Sequence, residues 1–113
     1  MGQVINPEGA AIQAEGCVNM GLGYSLYEDI EFDWGKVITT NFNNYSLPLF
    51  SNIPPVIESY TVEAQDEPPQ GGGEPAIICM GGAVANAVFE ACGARVFRLP
   101  VTPERILEAL KKA

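Results

Sequence analysis

The chain has 113 residues, of which 14 are acidic and six are basic, so its net charge at neutral pH is −8. A phosphate backbone would repel such a chain, which argues against nucleic acid as a partner. The sequence contains no histidine, the most common general base and metal ligand. Any acid–base chemistry must therefore use carboxylates, and we expect no residue of this chain to ligate a metal.

The three cysteines, Cys17, Cys79 and Cys92, are odd in number and form no Cys-x-x-Cys pair. This pattern disfavours both a zinc site and a disulfide framework. It favours small buried thiols in a reducing compartment, so we expect a cytoplasmic protein, with a periplasmic location as the alternative. No segment approaches the roughly 18–20 apolar residues of a membrane span, and the first residues lack the pattern of a signal peptide.

The first predicted element is a helix that begins after Asn6 and runs to about Tyr27. Asn6 is a favourable N-cap, and a proline at the first helical position follows it. The helix contains three glycines: Gly16, Gly21 and Gly23. Each costs about 1 kcal/mol relative to alanine in a helix interior. We infer that another element or a ligand approaches the backbone of this helix closely.

Strands are predicted in three places. Residues 31–38 resemble a hairpin whose turn is Asp33-Trp34-Gly35. Residues 56–64 and 95–99 alternate in polarity, as strands do. We expect the aromatic side chains around the hairpin to pack in the core: Tyr24, Tyr27, Phe32 and Trp34.

Two further helices are predicted in the second half of the chain. One covers residues 81–91 and is closed by Gly93, and the other runs from Pro103 to Lys112 behind a Thr102 cap. All these elements together give three helices with a β-hairpin and short strands in a mixed sheet. The expected fold class is α+β, in a single domain over residues 1–113.

The loop Gln70-Gly71-Gly72-Gly73-Glu74-Pro75 is the strongest candidate for chemistry. Glycines allow another object to approach the backbone closely, and a following proline restricts Glu74 to extended conformations. The result is one carboxylate held in a fixed direction, which is what a general base requires. The alternative is a flexible linker whose glutamate is merely solvated.

Several motifs along the chain carry a resemblance to a known family. They lie at residues 5–9 (Ile-Asn-Pro-Glu-Gly), 13–16 (Gln-Ala-Glu-Gly), 21–26 (Gly-Leu-Gly-Tyr-Ser-Leu), 41–45 (Asn-Phe-Asn-Asn-Tyr), 71–75 (Gly-Gly-Gly-Glu-Pro), 83–89 and 99–105. In this order they resemble the C-terminal portion of molybdenum hydroxylase large subunits. That family includes xanthine dehydrogenase, aldehyde oxidoreductase and isoquinoline 1-oxidoreductase. The resemblance covers essentially the whole chain.

The resemblance implies a role for several residues. The glutamate of the Gly-Glu-Pro motif, Glu74 here, would be the general base beside the molybdenum. Gln13 would form a hydrogen bond with the molybdopterin cofactor, and the backbone amides of Gly72 and Gly73 would lie against it. The family often has valine where this chain has Gly72, so the loop is expected to be looser. A second glutamine is common where Met20 stands.

The resemblance also implies a larger parent protein. Its partners would be the remainder of the large subunit and an iron–sulfur electron-transfer subunit or domain. Its reaction would be oxidative hydroxylation of an aldehyde or N-heterocycle, for which the chain supplies the base. The isolated chain is not expected to bind molybdenum–molybdopterin tightly, because it offers one glutamine and a few amides. The alternative is a non-catalytic remnant, or an interaction module with an idle Glu74.

Overall fold

The computed structural model describes residues 1–112, so the expected domain of residues 1–113 extends one residue beyond them. Three α-helices are present: α1 (Pro7–Leu26), α2 (Met80–Cys92) and α3 (Pro103–Leu110). Two short strands, β1 (Phe32–Asp33) and β2 (Lys36–Val37), form an antiparallel pair, and a 3-10 turn covers Phe50–Asn52. The α+β composition expected from the sequence is confirmed, as are all three helices.

Helix α1 begins and ends as its sequence predicts. The Asn6 side chain accepts a hydrogen bond from the Gly9 amide over 3.0 Å, and Pro7 occupies the first turn. The amide of Tyr27 donates to the carbonyl oxygen of Gly23 at the other end. None of the helices formed by residues 1–112 has both the length and the apolar character needed to cross a membrane.

Helices α1 and α2 pack against each other at Gly21, which is buried. A Cβ atom built on Gly21 would lie 2.4 Å from Cγ and 2.5 Å from Cβ of Met80, so only glycine fits there. The Ser25 hydroxyl, also buried, donates to the Gly21 carbonyl oxygen over 2.6 Å. The predicted close approach to the α1 backbone is therefore made, at Gly21, by a side chain of this chain's own second helix.

The end of α1 is tied to the segment that leads into α3. The Val101 amide donates to the Ser25 carbonyl oxygen over 2.6 Å. The Arg105 guanidinium donates to the Pro100 carbonyl oxygen over 2.7 Å and pairs with Asp29 over 3.0 Å. Thr102 caps α3 by accepting from the Arg105 amide. The pKa of Glu104 lies below its usual range, chiefly because its carboxylate accepts a hydrogen bond from its own backbone amide and also because of a hydrogen bond with the Thr102 side chain.

The hairpin turns at Trp34 and Gly35, which have φ angles of 45° and 77°. Two successive residues with positive φ are typical of the tight turns that suit the twist of a two-stranded hairpin. Phe32 faces Val37 across the pair. The expectation that the neighbouring aromatics are buried is wrong within residues 1–112, because the Trp34 side chain is 96% exposed and Phe32 is 68% exposed.

The predicted mixed sheet is not formed within residues 1–112. The described part of the chain contains one two-stranded antiparallel sheet, and residues 56–64 and 95–99 are not assigned to strands. A strand is defined by hydrogen bonds to a neighbouring strand, and neither segment has such a neighbour here. Alternating polarity in the sequence indicates segments that can form strands, but it does not indicate which strand would pair with them.

The core of the described chain is small. Its buried apolar side chains are those of Cys17, Ala94 and Val101, together with Pro100. Many large apolar side chains are exposed, and the radius of gyration is 17.2 Å. A compact domain of this length would have a radius of about 13 Å. Of the expected buried thiols, Cys17 is buried, whereas Cys79 and Cys92 are exposed.

Candidate functional site

A cleft of about 510 Å³ lies between the start of α1 and the glycine-rich loop. Gln13 lines it from the helix, and Gly72 and Gly73 line it from the loop. The other residues around it belong to the first ten residues and to the start of the loop: Met1, Gln3, Val4, Ile5, Asn6, Gly9, Ala10, Pro69 and Gln70. Gln13 and the pair Gly72 and Gly73, far apart in sequence, are the residues expected to bind the cofactor, and they share one cleft.

Backbone hydrogen bonds hold the loop against the first residues of the chain. The Gln70 amide donates to the Met1 carbonyl oxygen over 2.9 Å, and the Gln3 amide donates to the Glu67 carbonyl oxygen over 3.1 Å. The two segments therefore run side by side along one wall of the cleft. Their amides and carbonyls satisfy each other, which fixes the path of a loop rich in glycine.

Cys17 fastens the same loop to α1. Its thiol, on a residue that is 5% exposed, donates to the Gly73 carbonyl oxygen with the two atoms 3.0 Å apart. Cys17 lies one helical turn after Gln13, so the two side chains project from the same side of α1. The sequence predicts Cys17 only as a small buried residue. Its spacing from Gln13 was the one available signal of this contact.

The loop glycines differ in their surroundings. A Cβ atom built on Gly72 would come within 2.9 Å of the Met1 side-chain methyl, whereas around Gly73 no such atom would meet anything within 4 Å. Gly73 therefore leaves open space beside the cleft. Met1 occupies the space that a side chain at position 72 would need.

Glu74 follows Gly73 directly, but it is not among the residues that line the cleft. Its side chain is exposed, and its carboxylate makes no hydrogen bond or ion pair with other described residues. Its carbonyl oxygen accepts a hydrogen bond from the Ile77 amide over 3.2 Å, in the turn that leads to α2. The backbone at Glu74 is thus anchored on both sides, while its carboxylate faces outward.

Among residues 1–112, no group of three or more histidine, cysteine or acidic side chains is arranged to hold a metal ion. One buried side-chain atom, Oδ1 of Asn19, has no hydrogen-bond partner in the described chain. Asn19 lies on α1, between the residues that line the cleft and those that pack on α2.

Elsewhere, the Tyr45 hydroxyl donates to Glu28, and this hydrogen bond raises the pKa of Tyr45 above its usual value.

Comparisons with known proteins agree on one family. Residues 1–54 match the family described as "Molybdopterin cofactor-binding domain". One subunit of the nicotinate dehydrogenase of Pseudomonas putida is 36% identical over 109 residues, which are 96% of this chain and 9% of that protein. The xanthine dehydrogenase molybdenum-binding subunit of Escherichia coli is 35% identical over 113 residues, covering 95% of this chain and 15% of that protein.

The fold gives the same result. Quinoline 2-oxidoreductase from Pseudomonas putida 86 superposes on 98% of this chain with a TM-score of 0.78 and 27% identity, using 15% of its own chain. The sequence therefore spans only 9–15% of the length of these three relatives. The chain belongs to the molybdenum hydroxylase large-subunit family, whose molybdopterin cofactor-binding domain its first 54 residues match.

Proposed function

We propose that the chain is part of a molybdopterin-binding subunit that oxidises aldehydes or N-heterocycles, with Glu74 as the general base. The observation that carries the proposal is the cleft shared by Gln13, Gly72 and Gly73, with Glu74 at the next position of the loop. Family membership supports molybdenum–molybdopterin as the cofactor of the parent enzyme. The names of the relatives support both substrate classes, since they include nicotinate and xanthine dehydrogenases and an aldehyde oxidoreductase.

The residues around the cleft suit a large polar cofactor. The Gln13 amide can both donate and accept a hydrogen bond, and it lines the cleft from an exposed position on α1. Gly72 and Gly73 bring loop backbone to the opposite wall without side chains. These three residues would hold part of the cofactor, and the open space beside Gly73 would admit it. The remaining contacts would come from the rest of the subunit.

Glu74 would contribute the proton transfer. When bound, the cofactor supplies the two-electron oxidation of the substrate carbon. The Glu74 carboxylate is unpaired in the described chain, so one of its oxygens is available to accept a proton. The fixed loop backbone at Gly73 and the turn at Ile77 would limit the movement of this carboxylate. A positioned base of this kind contributes typically about 10²–10⁴-fold to a rate.

The partners follow from the same proposal. The exposed apolar side chains would be covered by the rest of the subunit, within one molybdopterin-binding domain that includes residues 1–113. Electrons would pass to an iron–sulfur subunit or domain of the larger protein, as the family resemblance implies. We propose a cytoplasmic location, as the unpaired cysteines favour.

The proposal is tested on the purified full-length subunit with its companions, by metal analysis and by oxidation assays with aldehydes and N-heterocycles. We expect molybdenum in the subunit and turnover of at least one of these two substrate classes. A folded subunit that lacks molybdenum and oxidises neither class would instead support the alternative of an interaction module with an idle Glu74.

Gln13→Ala in the full-length subunit tests the cofactor contact. We expect roughly two- to tenfold weaker retention of the cofactor, the loss of about one net hydrogen bond. The measurement is molybdenum and released pterin per subunit after dialysis. Glu15→Ala is the matched control, because Glu15 is exposed on the same helix and does not line the cleft. Equal retention in both variants would contradict the role of Gln13.

A further inference from the structure

The segment of residues 56–63 has an unusual combination of properties. It follows Pro54 and Pro55, it is not assigned to any helix, strand or turn, and its backbone makes no hydrogen bond with other backbone of the described chain. Eight consecutive residues therefore leave their amides and carbonyls without intramolecular partners. Ile57 and Ser59 are half-buried, and the other six residues are open to solvent, so the whole length of this backbone is accessible to a neighbouring strand.

The side chains of this segment alternate as those of a paired strand do. Ile57 and Ser59 are half-buried, whereas Val56, Tyr60 and Val62 on the other face are 70%, 85% and 86% exposed, so burial alternates over residues 56–60 and both faces are exposed over residues 61–63. β-branched and aromatic residues are those enriched in strands. An extended segment with free backbone on both edges and apolar residues on one face would template aggregation if it stayed uncovered.

We propose that residues 56–63 form a strand that pairs with a strand from the rest of the same subunit. This inference rests on the proposed function, because it requires the chain to be part of a longer molybdopterin-binding subunit. Two observations indicate that the pairing strand belongs to the rest of the subunit. The same fold occupies 15% of the longer quinoline 2-oxidoreductase chain, and the described chain has a radius of gyration well above that of a compact domain.

The pairing would use both the backbone and one face of the segment. The incoming strand would accept from and donate to the backbone of residues 56–63, as in the addition of a strand to a sheet edge. Its neighbours would cover Val56, Tyr60 and Val62, which face away from the described chain. Glu58 lies on the same face and accepts a hydrogen bond from the Tyr60 hydroxyl over 3.2 Å, so its carboxylate already has one partner there.

Hydrogen exchange of the wild-type protein tests the proposal without any substitution. The amides of residues 57–63 should exchange at least roughly tenfold more slowly in the full-length subunit than in the 113-residue chain. If one edge is paired, protection should alternate along the segment, and if both edges are paired, it should be continuous. Equally fast exchange in both proteins would overturn the proposal. Protection that is already present in the isolated 113-residue chain and rises with its concentration would also overturn the proposal. The pairing strand would then come from a second copy of the chain.

A proline substitution gives a second measurement. Tyr60→Pro removes one amide from the middle of the segment, and we expect loss of protection at the neighbouring residues together with less soluble full-length subunit. Gln65→Pro is the matched control. Gln65 is the second residue of a turn in which the Glu67 amide donates to the Ala64 carbonyl oxygen over 3.2 Å. Proline is favoured at that position of a turn. Equal effects of both prolines would contradict a specific role for the strand.

The exchange measurement is independent of catalysis. A protected segment in a subunit that lacks molybdenum and activity would support the pairing and count against the proposed function. An active enzyme in which the amides of residues 57–63 exchange freely would support the proposed function and count against the strand pairing.

Discussion

Glu74→Gln in the full-length subunit should lower the rate of substrate oxidation by about 10²–10⁴-fold, the usual contribution of a positioned general base. Glutamine keeps the size of the side chain but cannot accept the proton. No histidine exists in the chain to replace it. Because Glu74 does not line the cleft with Gln13, the molybdenum content should remain nearly unchanged. The measurements are steady-state turnover and metal content of the same preparations.

Glu67→Gln is the control for this substitution. Glu67 lies in the same loop region, before the two prolines, and only its backbone is engaged: its carbonyl oxygen accepts from the Gln3 amide, and its own amide donates to the Ala64 carbonyl oxygen. It should have little effect on turnover. If Glu74→Gln kept more than about a tenth of the wild-type rate, the loss would be below the smallest expected for a base, and Glu74 would be an ordinary loop glutamate.

Gly21→Ala should leave the stability of the 113-residue chain unchanged or lower it, although alanine is the better helix former. Helix propensity alone favours alanine by about 1 kcal/mol. The new methyl group would lie 2.4 Å from Cγ of Met80, an atom near the α2 backbone that cannot swing aside as the end of a side chain could. Overpacking of this kind costs typically about 1–3 kcal/mol, so the clash should equal or outweigh the propensity gain. Urea unfolding followed by circular dichroism measures the difference.

Gly16→Ala is the matched control on the same helix. A Cβ atom on Gly16 would meet nothing within 4 Å, so here the propensity term acts alone and the chain should gain about 1 kcal/mol. The two substitutions are chemically identical, yet only Gly16→Ala should raise the free energy of unfolding. Equal stabilisation by both would show that α1 and α2 do not pack at Gly21 in solution.

Local sequence signals predicted the helices well. The Asn6 and Thr102 caps, and Gly93 with its φ of 79° after α2, lie where the sequence indicated. These features depend on residues within one or two turns of each other, which a sequence displays directly. The strands depend on distant partners. The hairpin at residues 32–37 was predictable because its partner is two residues away, whereas residues 56–64 have no strand partner within the described chain.

The candidate site, like the fold, was predictable from the sequence only in part. The residue types of Gln13, Gly72 and Gly73 could be taken from their motifs, but their meeting in one cleft depends on how the loop folds onto α1. The Cys17 thiol and the Gly73 carbonyl make that connection, and no motif contains both. Burial was the least predictable property. The aromatics of the hairpin follow the pattern of core residues, yet they are exposed because burial depends on surfaces beyond the described chain.

The single tryptophan of the chain has a practical consequence. Trp34 sits at the tip of the hairpin turn with nearly its whole indole in water. The 113-residue chain should therefore emit at the long wavelengths of hydrated indole, and its fluorescence should be readily quenched by small solutes. Any surface that covers the hairpin would shift this emission to the blue. The chain thus carries a built-in optical label for the face through which it would join a larger protein, with no dye or tag attached.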